Sequence, residues 1–189
     1  MRKMITVKIN GEERQYPQGA TYEDVANDYQ QEYENLIALA ARDGKIRELF
    51  KKLTRDCEVT FFTLKDDVGN KTYVRSATML FLKAVFDVYG REAAQSCRVE
   101  FAIGNGSYIS PRGQIAATED NAAKIRDRMR ELVEAKTPFL KRSYSLDNAM
   151  ERFHKEGMED KEKLFRYRRG SFVNIYEMDG YYDYYYGYM

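Results

Sequence analysis

Residues 4–17 hold the strongest local constraint in the chain. Met4-Ile5-Thr6-Val7-Lys8-Ile9 alternates apolar and polar side chains, and Asn10-Gly11 follows directly. An Asn-Gly pair after an alternating run accepts the positive φ angles of a two-residue hairpin turn, so the spacing predicts two antiparallel strands. Glu12 to Tyr16 supplies the return strand, closed by Pro17. Thr21 is a good N-cap, and Asp24 stands three residues on, as in a capping box. The helix it opens shows one apolar face through Val25, Ala26 and Tyr29. Strands are then expected at Leu36 to Ala41, Lys45 to Leu49 (after a turn at Asp43-Gly44) and Cys57 to Phe62. This β-β-α-β-β-β order is that of a ubiquitin-like β-grasp.

Beyond it, Lys65-Asp66-Asp67-Val68-Gly69-Asn70-Lys71 reads as a linker. A helix is predicted from Arg75 to Tyr89, ended by Gly90. A hairpin follows, with strands at Val99 to Ile103 and Ser107 to Ser110 around Gly104-Asn105-Gly106. Thr118 caps a helix over 119–135 that should turn Ile125, Met129, Leu132 and Val133 inward. A strand at Phe139 to Tyr144, a helix capped by Ser145 and stopped by Gly157, a helix over 158–167 and a strand at Val173 to Met178 complete the reading. The chain is thus expected to be α+β, with domains at 1–64 and 73–189 joined by a linker at 65–72.

Composition narrows the function classes. The 31 basic and 30 acidic residues nearly cancel, so bulk charge gives no pull toward nucleic acid or an anionic membrane. No apolar run approaches the roughly 18 residues of a membrane span and no leader pattern is visible, so a cytoplasmic protein without a membrane partner is expected. Cys57 and Cys97 lie far apart without a CxxC pattern, and two buried reduced thiols are expected. There is no Trp against 16 Tyr, many of them crowded into residues 181–189. Such aromatics could stack bases. The run holds no Lys or Arg, however, and packing on a following domain is the stronger expectation.

Two short patterns suggest phosphate binding and fail on inspection. Gly69-Asn70-Lys71-Thr72 lacks the glycine directly before lysine that a phosphate loop needs. Gly104-Asn105-Gly106 lacks the third glycine of a dinucleotide fingerprint, and a strand follows it. His154 is the only histidine, and a surface or partly buried role is expected of it.

Several strings carry family resemblances. Tyr16-Pro17-x-Gly19-x-Thr21, Asp24-Val25-Ala26 and Leu39-Ala40-Ala41-x-Asp43-Gly44-Lys45 together resemble a TGS domain, the small β-grasp module that begins threonyl-tRNA synthetases. Val74-Arg75-Ser76-Ala77-Thr78-Met79-Leu80 resembles the R-H-S-x-x-H-L helix start of that family's editing domain. Arg168-Arg169-Gly170-Ser171-Phe172 resembles its C-R-G-P-H, and Gly106 and Tyr108 fall in register with its D-N-G-F-Y-Y turn. In this alignment Arg75 and Met79 occupy two histidine positions, Arg168 the cysteine and Phe172 the third histidine. A metal needs lone-pair donors such as imidazole or thiolate. Arginine offers no such acceptor and phenylalanine none at all. The resemblance therefore implies a retained scaffold with no catalytic residues and no metal ligands.

The pairing of the two domains, with Lys71-Thr72-Tyr73-x-Arg75-Ser76, Val173-Asn174-Ile175-Tyr176 and Tyr184-Tyr185-Tyr186-Gly187-Tyr188-Met189, resembles the N-terminal region of bacterial uridine kinase-like proteins. That resemblance implies a non-catalytic accessory region preceding a P-loop kinase domain. ATP and magnesium would belong to that further domain. Arginine forks suit phosphate or carboxylate, so Arg75, Met79, Tyr108, Lys141, Arg166, Arg168 and Phe172 are expected around a nucleotide, nucleoside or other anion. Neutralisation by Asp147, Glu159, Asp160 and Glu162 on a solvated surface is the competing reading. Two other classes stay open: a trans-editing hydrolase using Lys141, Tyr108 or His154, and an RNA- or ribosome-binding adaptor, with tRNA as the candidate RNA.

Overall fold

The structure is a computed structural model that describes residues 3–104, 106–113 and 115–189. It divides into two compact units, one holding the chain to Ser76 together with Gly187–Met189, the other Ala77–Tyr186.

In the first unit, β1 (Met4–Ile9) and β2 (Glu12–Pro17) form the expected hairpin. Asn10 and Gly11 both take positive φ, 51° and 89°. That geometry lets the turn follow the twist of the strands. Helix α1 (Tyr22–Tyr29) opens on a complete capping box: the Thr21 hydroxyl accepts from the Asp24 amide at 3.1 Å, and the Asp24 carboxylate accepts from the Thr21 amide at 2.7 Å. Its buried residues Tyr22, Val25, Ala26 and Tyr29 follow the i, i+3, i+4, i+7 spacing of one helix face. Strands β3 (Ile37–Arg42), β4 (Lys45–Glu48) and β5 (Cys57–Thr63) complete a five-stranded sheet of order β2-β1-β5-β3-β4. The first and last strands are neighbours and run parallel; the other pairs are antiparallel. Ile5, Val7 and Ile9 of β1 are fully buried with the apolar face of α1, Val59 and Phe61. Each such aliphatic side chain contributes about 2 kcal/mol on burial.

The segment read as a linker is mostly helix, since α2 runs Asp67–Tyr89 and begins eight residues before Arg75. Gly69 and the polar residues around it hide this start from a propensity reading. The Thr63 amide and hydroxyl both donate to the Asp66 carboxylate, at 2.7 and 3.0 Å, which folds the chain back sharply before the helix. A Cβ on Gly69 would lie 2.0 Å from the Thr63 carbonyl oxygen, so only glycine permits the first turn to sit there.

In the second unit, Gly90 (φ 86°) ends α2 and a short helix α3 (Arg91–Ser96), not expected from the sequence, follows. Strands β6 (Cys97–Ile103) and β7 (Gly106–Pro111) form a two-stranded ribbon; Asn105 of its expected turn lies outside the described residues. Thr118 caps α4 (Glu119–Glu134). Strand β8 (Leu140–Ser145), helices α5 (Leu146–Lys155) and α6 (Glu159–Arg166), and strands β9 (Phe172–Met178) and β10 (Tyr181–Asp183) follow. The sheet has order β10-β9-β8 and is antiparallel throughout. Phe153, Met158, Phe165, Val173, Ile175 and Tyr182 belong to its core.

Three expectations are corrected here. Val133 is 60% exposed, because it sits about 100° around α4 from Leu132 and leaves the buried stripe. Tyr181 and Tyr182, read from the sequence as part of an aromatic run without a strand, are buried on β10 and paired with Met178 and Glu177. Cys57 and Cys97 are half-buried free thiols rather than fully buried ones.

Lys83 is a buried cation, 2% exposed. Its ammonium donates to Asp87 at 2.7 Å and to the Asp179 carbonyl at 2.6 Å, tying α2 to the β9–β10 turn. Among the described residues, no helix is long and apolar enough to cross a membrane.

Three outcomes are expected. Gly69→Ala should lower unfolding free energy by at least about 2 kcal/mol through forced overpacking, while Gly106→Ala, whose nearest neighbour would stand at 3.7 Å, should be nearly neutral; urea midpoints read the difference. Lys83→Ala should cost about 3 kcal/mol by leaving Asp87 short of a buried partner, seen as a lower thermal midpoint. Burial, followed by the bond to Asp28, raises the Tyr16 hydroxyl above its ordinary value of 10.0, and burial raises Tyr181 and Tyr185 well above it. A raised folded value stabilises below the unfolded one and loses that contribution as pH climbs toward the folded one. Stability should therefore fall from about pH 9 to about pH 11; a flat denaturant midpoint across that range would contradict this.

Candidate functional site

The residues at the family positions fall in both units, and each is held by neighbours in its own. In the first unit, the Arg75 guanidinium on α2 donates to the Tyr188 carbonyl at 3.2 Å. A Cβ on Gly187 (φ 122°) would stand 2.8 Å from the Arg75 Cζ, so the terminal backbone lies directly against the guanidinium.

In the second unit, Met79 is fully buried and belongs to the core. Its thioether is the one lone-pair donor among the four replaced positions, and it is a weak one. Arg168 donates to the Tyr184 phenol and stands 5.4 Å from the centre of that ring. Arg166 donates to Glu162, which also meets His154 Nδ1 at 2.9 Å. The His154 bond, then the Arg166 bond, hold the Glu162 carboxyl below its ordinary value. His154 is exposed, and the largely buried Glu162 carboxylate on the next helix gives it a partner. The Lys141 ammonium stands 5.2 Å over the Tyr176 ring. Phe172, 65% exposed at the start of β9, pairs with Ser145. Tyr108 stacks on Phe101 across the β6–β7 ribbon at 5.2 Å, away from any acid or base in that contact.

The structure thus places Arg166 with Glu162 and His154, and Arg168 with Tyr184. Of the four acidic residues in the competing reading, Glu162 pairs with Arg166 and Glu159 with Lys163; among the described residues no pair joins Asp147 or Asp160 to these arginines. Sequence reading missed Arg152. Its guanidinium stacks over Tyr182 at 3.8 Å, donates to the Tyr144 phenol at 2.7 Å and meets Glu177 at 3.1 Å. Alternation along β8 and β9 puts Tyr144 and Glu177 on reachable faces, but their meeting with α5 is a tertiary result.

Chemically, these groups can hold anions or aromatic rings. Among the described residues no cluster of three or more His, Cys, Asp or Glu side chains is placed to hold a metal ion. Burial pushes the Cys97 thiol up, and burial followed by Asp43 does the same to Cys57, so both sit as neutral thiols rather than nucleophilic thiolates.

No protein-family model matches the chain. Its sequence is similar to threonine–tRNA ligases. It is 25% identical over 186 residues to that of Thermotoga petrophila, covering 90% of this chain and 28% of the ligase. It is 26% identical over 183 residues to that of Maricaulis maris, covering 91% and 28%, and 26% identical over 175 residues to that of Rhizobium etli, covering 92% and 26%. The chain spans little more than a quarter of the length of these curated relatives. Along about nine-tenths of its own length, the chain is similar in sequence to threonyl-tRNA synthetases.

Proposed function

We propose that this chain is a non-catalytic binding module derived from the synthetase scaffold, in which a TGS-type β-grasp precedes an editing-type domain that no longer hydrolyses. The single observation that carries this reading is the similarity along nine-tenths of the chain, combined with Arg75, Met79, Arg168 and Phe172 at the four donor positions. The β2-β1-β5-β3-β4 order, with its parallel central pair and one helix, supports the β-grasp assignment. The TGS-type part ends near residue 64, and the editing-type part begins near residue 73.

The ligand is RNA of the tRNA class, met through phosphate by Lys141, Arg166 and Arg168 in the second unit, with Tyr108 and Phe172 as exposed aromatic surfaces there; Arg75 is a separate phosphate contact on the first unit. Arg75, Arg166 and Arg168 then exchange Tyr188, Glu162 and Tyr184 for phosphate oxygens. With a formal net charge of +1, affinity rests on these local groups and is modest.

Purified protein should retain tRNA in filter binding, with affinity falling as salt rises and a log–log slope shallower by roughly one in Arg75→Met or Arg168→Met. It should release neither serine nor threonine from charged tRNA. Release above the buffer rate would replace this reading with that of a trans-editing hydrolase, and unchanged binding in both variants would remove the arginines from the ligand.

A second reading is an accessory region of a uridine kinase-like protein, favoured by the strings Val173-Asn174-Ile175-Tyr176 and Tyr184-Tyr185-Tyr186-Gly187-Tyr188-Met189. A coding sequence that continues past Met189 into strand, G-x-x-x-x-G-K-[ST] and helix would establish it; a stop codon there would discard it.

A further inference from the structure

The five-stranded sheet of the first unit ends on an open edge. Among the described residues, β2 pairs with β1 alone. The two-residue turn makes Ile9 and Glu12 a hydrogen-bonded pair, and bonded pairs then recur at Val7–Arg14 and Ile5–Tyr16. Two bonds agree with this alternation. The Gln18 amide donates to the Lys3 carbonyl at 2.8 Å, one step further along, and the Thr6 amide turns away from β2 to donate to Asp56 at 2.9 Å. Glu13 and Gln15, between the bonded pairs, therefore aim their amides and carbonyls outward, and both residues are exposed. The opposite edge, β4, is shorter, at four residues.

Alternation turns Glu12, Arg14 and Tyr16 toward α1. The Arg14 guanidinium stands 4.2 Å over the Tyr29 ring, and the Tyr16 phenol donates to Asp28 at 3.0 Å. Where β2 ends, an open cleft of about 800 Å³ lies between it and α1, walled by residues 16–20, by Asp24, Asn27 and Asp28, and by Lys52. Tyr16 belongs to both strand and cleft, so the edge leads directly into it.

Charge decides what this surface accepts. Residues 12–34, which hold β2, α1 and the turn that follows, carry seven acidic side chains against one basic, Arg14, in a chain of net charge +1. All seven acidic residues are exposed. Arg14 is shared between Glu12 and Glu32, at 3.7 and 3.9 Å. Lys8 opposite Glu13, and Lys52 in the cleft wall, leave the excess acidic. A charged edge prevents indiscriminate strand pairing. It discriminates by sign, however, repelling acidic strands and phosphate and attracting basic strands.

We propose that β2 and the α1 cleft form a docking surface for a basic, extended segment of another protein, which adds to the sheet as a further strand. Its backbone bonds to the outward amides and carbonyls of Glu13 and Gln15, and its Lys or Arg side chains on the helix side meet Glu12 and Asp28. The surface is independent of the arginines and aromatic rings in the RNA reading.

Fluorescence anisotropy of the whole chain with a short labelled peptide of alternating Lys and Val, beside its Glu-Val counterpart, tests this. The Lys peptide should bind and weaken as salt rises, and the Glu peptide should bind about tenfold more weakly or worse. Hydrogen exchange should slow at the Glu13 and Gln15 amides on binding and stay unchanged at Arg14 and Tyr16, which already donate to β1. Gln15→Pro removes an outward amide that makes no bond within the sheet, a change that edge strands accept; it should weaken binding by about tenfold or more. If that variant fails to fold, Glu13→Gln combined with Asp28→Asn decides instead, and it should weaken binding by about fivefold with a shallower salt dependence. Binding should persist in Arg168→Met and in the presence of tRNA, which separates this result from the fate of the RNA reading. No binding of the Lys peptide, equal binding of both peptides, or unchanged exchange at Glu13 and Gln15 would overturn the proposal. Self-association of the free chain with rising concentration would assign the edge to a second copy and overturn it too.

Discussion

A buried ammonium is the constraint on which the second unit turns. Lys83 has almost no contact with solvent, and a cation taken out of water is tolerable only where fixed oxygens replace hydration. Asp87 supplies one from the same helix face, and the Asp179 carbonyl supplies another from the β9–β10 turn. Arg128 on α4 meets the other oxygen of Asp87 at 2.9 Å, so one carboxylate holds two cations from two helices. The turn fixed in this way is the one that sends the chain back into β10, where Asp183 meets the Lys161 ammonium at 3.1 Å.

The same helix carries two of the residues on which the proposed loss of editing chemistry rests. Arg75, Met79 and Lys83 follow one another at i, i+4 and i+8 along α2, a single stripe. Histidines at the first two positions would present imidazole nitrogens. Here the first is a guanidinium bonded to backbone and the second is an apolar side chain in the core. Arg168 turns its charge onto the Tyr184 ring.

Local signals were legible wherever one backbone feature decides the outcome. The Asn10-Gly11 turn, the Thr21–Asp24 capping box and the Thr118 and Ser145 caps are written in a few adjacent residues, and the structure forms them at those places. The start of α2 was not legible, because Gly69 reads as a breaker until the Thr63 carbonyl is seen pressing on it. β10 was missed because a run of tyrosines has no alternation to mark a strand; its pairing with β9 supplies what pattern could not. Among the site residues, those at the family positions were visible in the sequence, while Arg152 was not, since it takes its role from partners distant along the chain.

The sequence by itself determined the order of elements in the first unit and the caps and turns, because these depend on residue type and spacing within a few residues. Only the tertiary structure decided which charges are engaged, and by which partners. Arg75 against the Gly187–Tyr188 backbone, Lys83 beneath the β9–β10 turn and Asp183 against the Lys161 ammonium are all relations between residues far apart in the chain. Burial and hydrogen-bond partners are properties of the packed chain, and no local pattern encodes them.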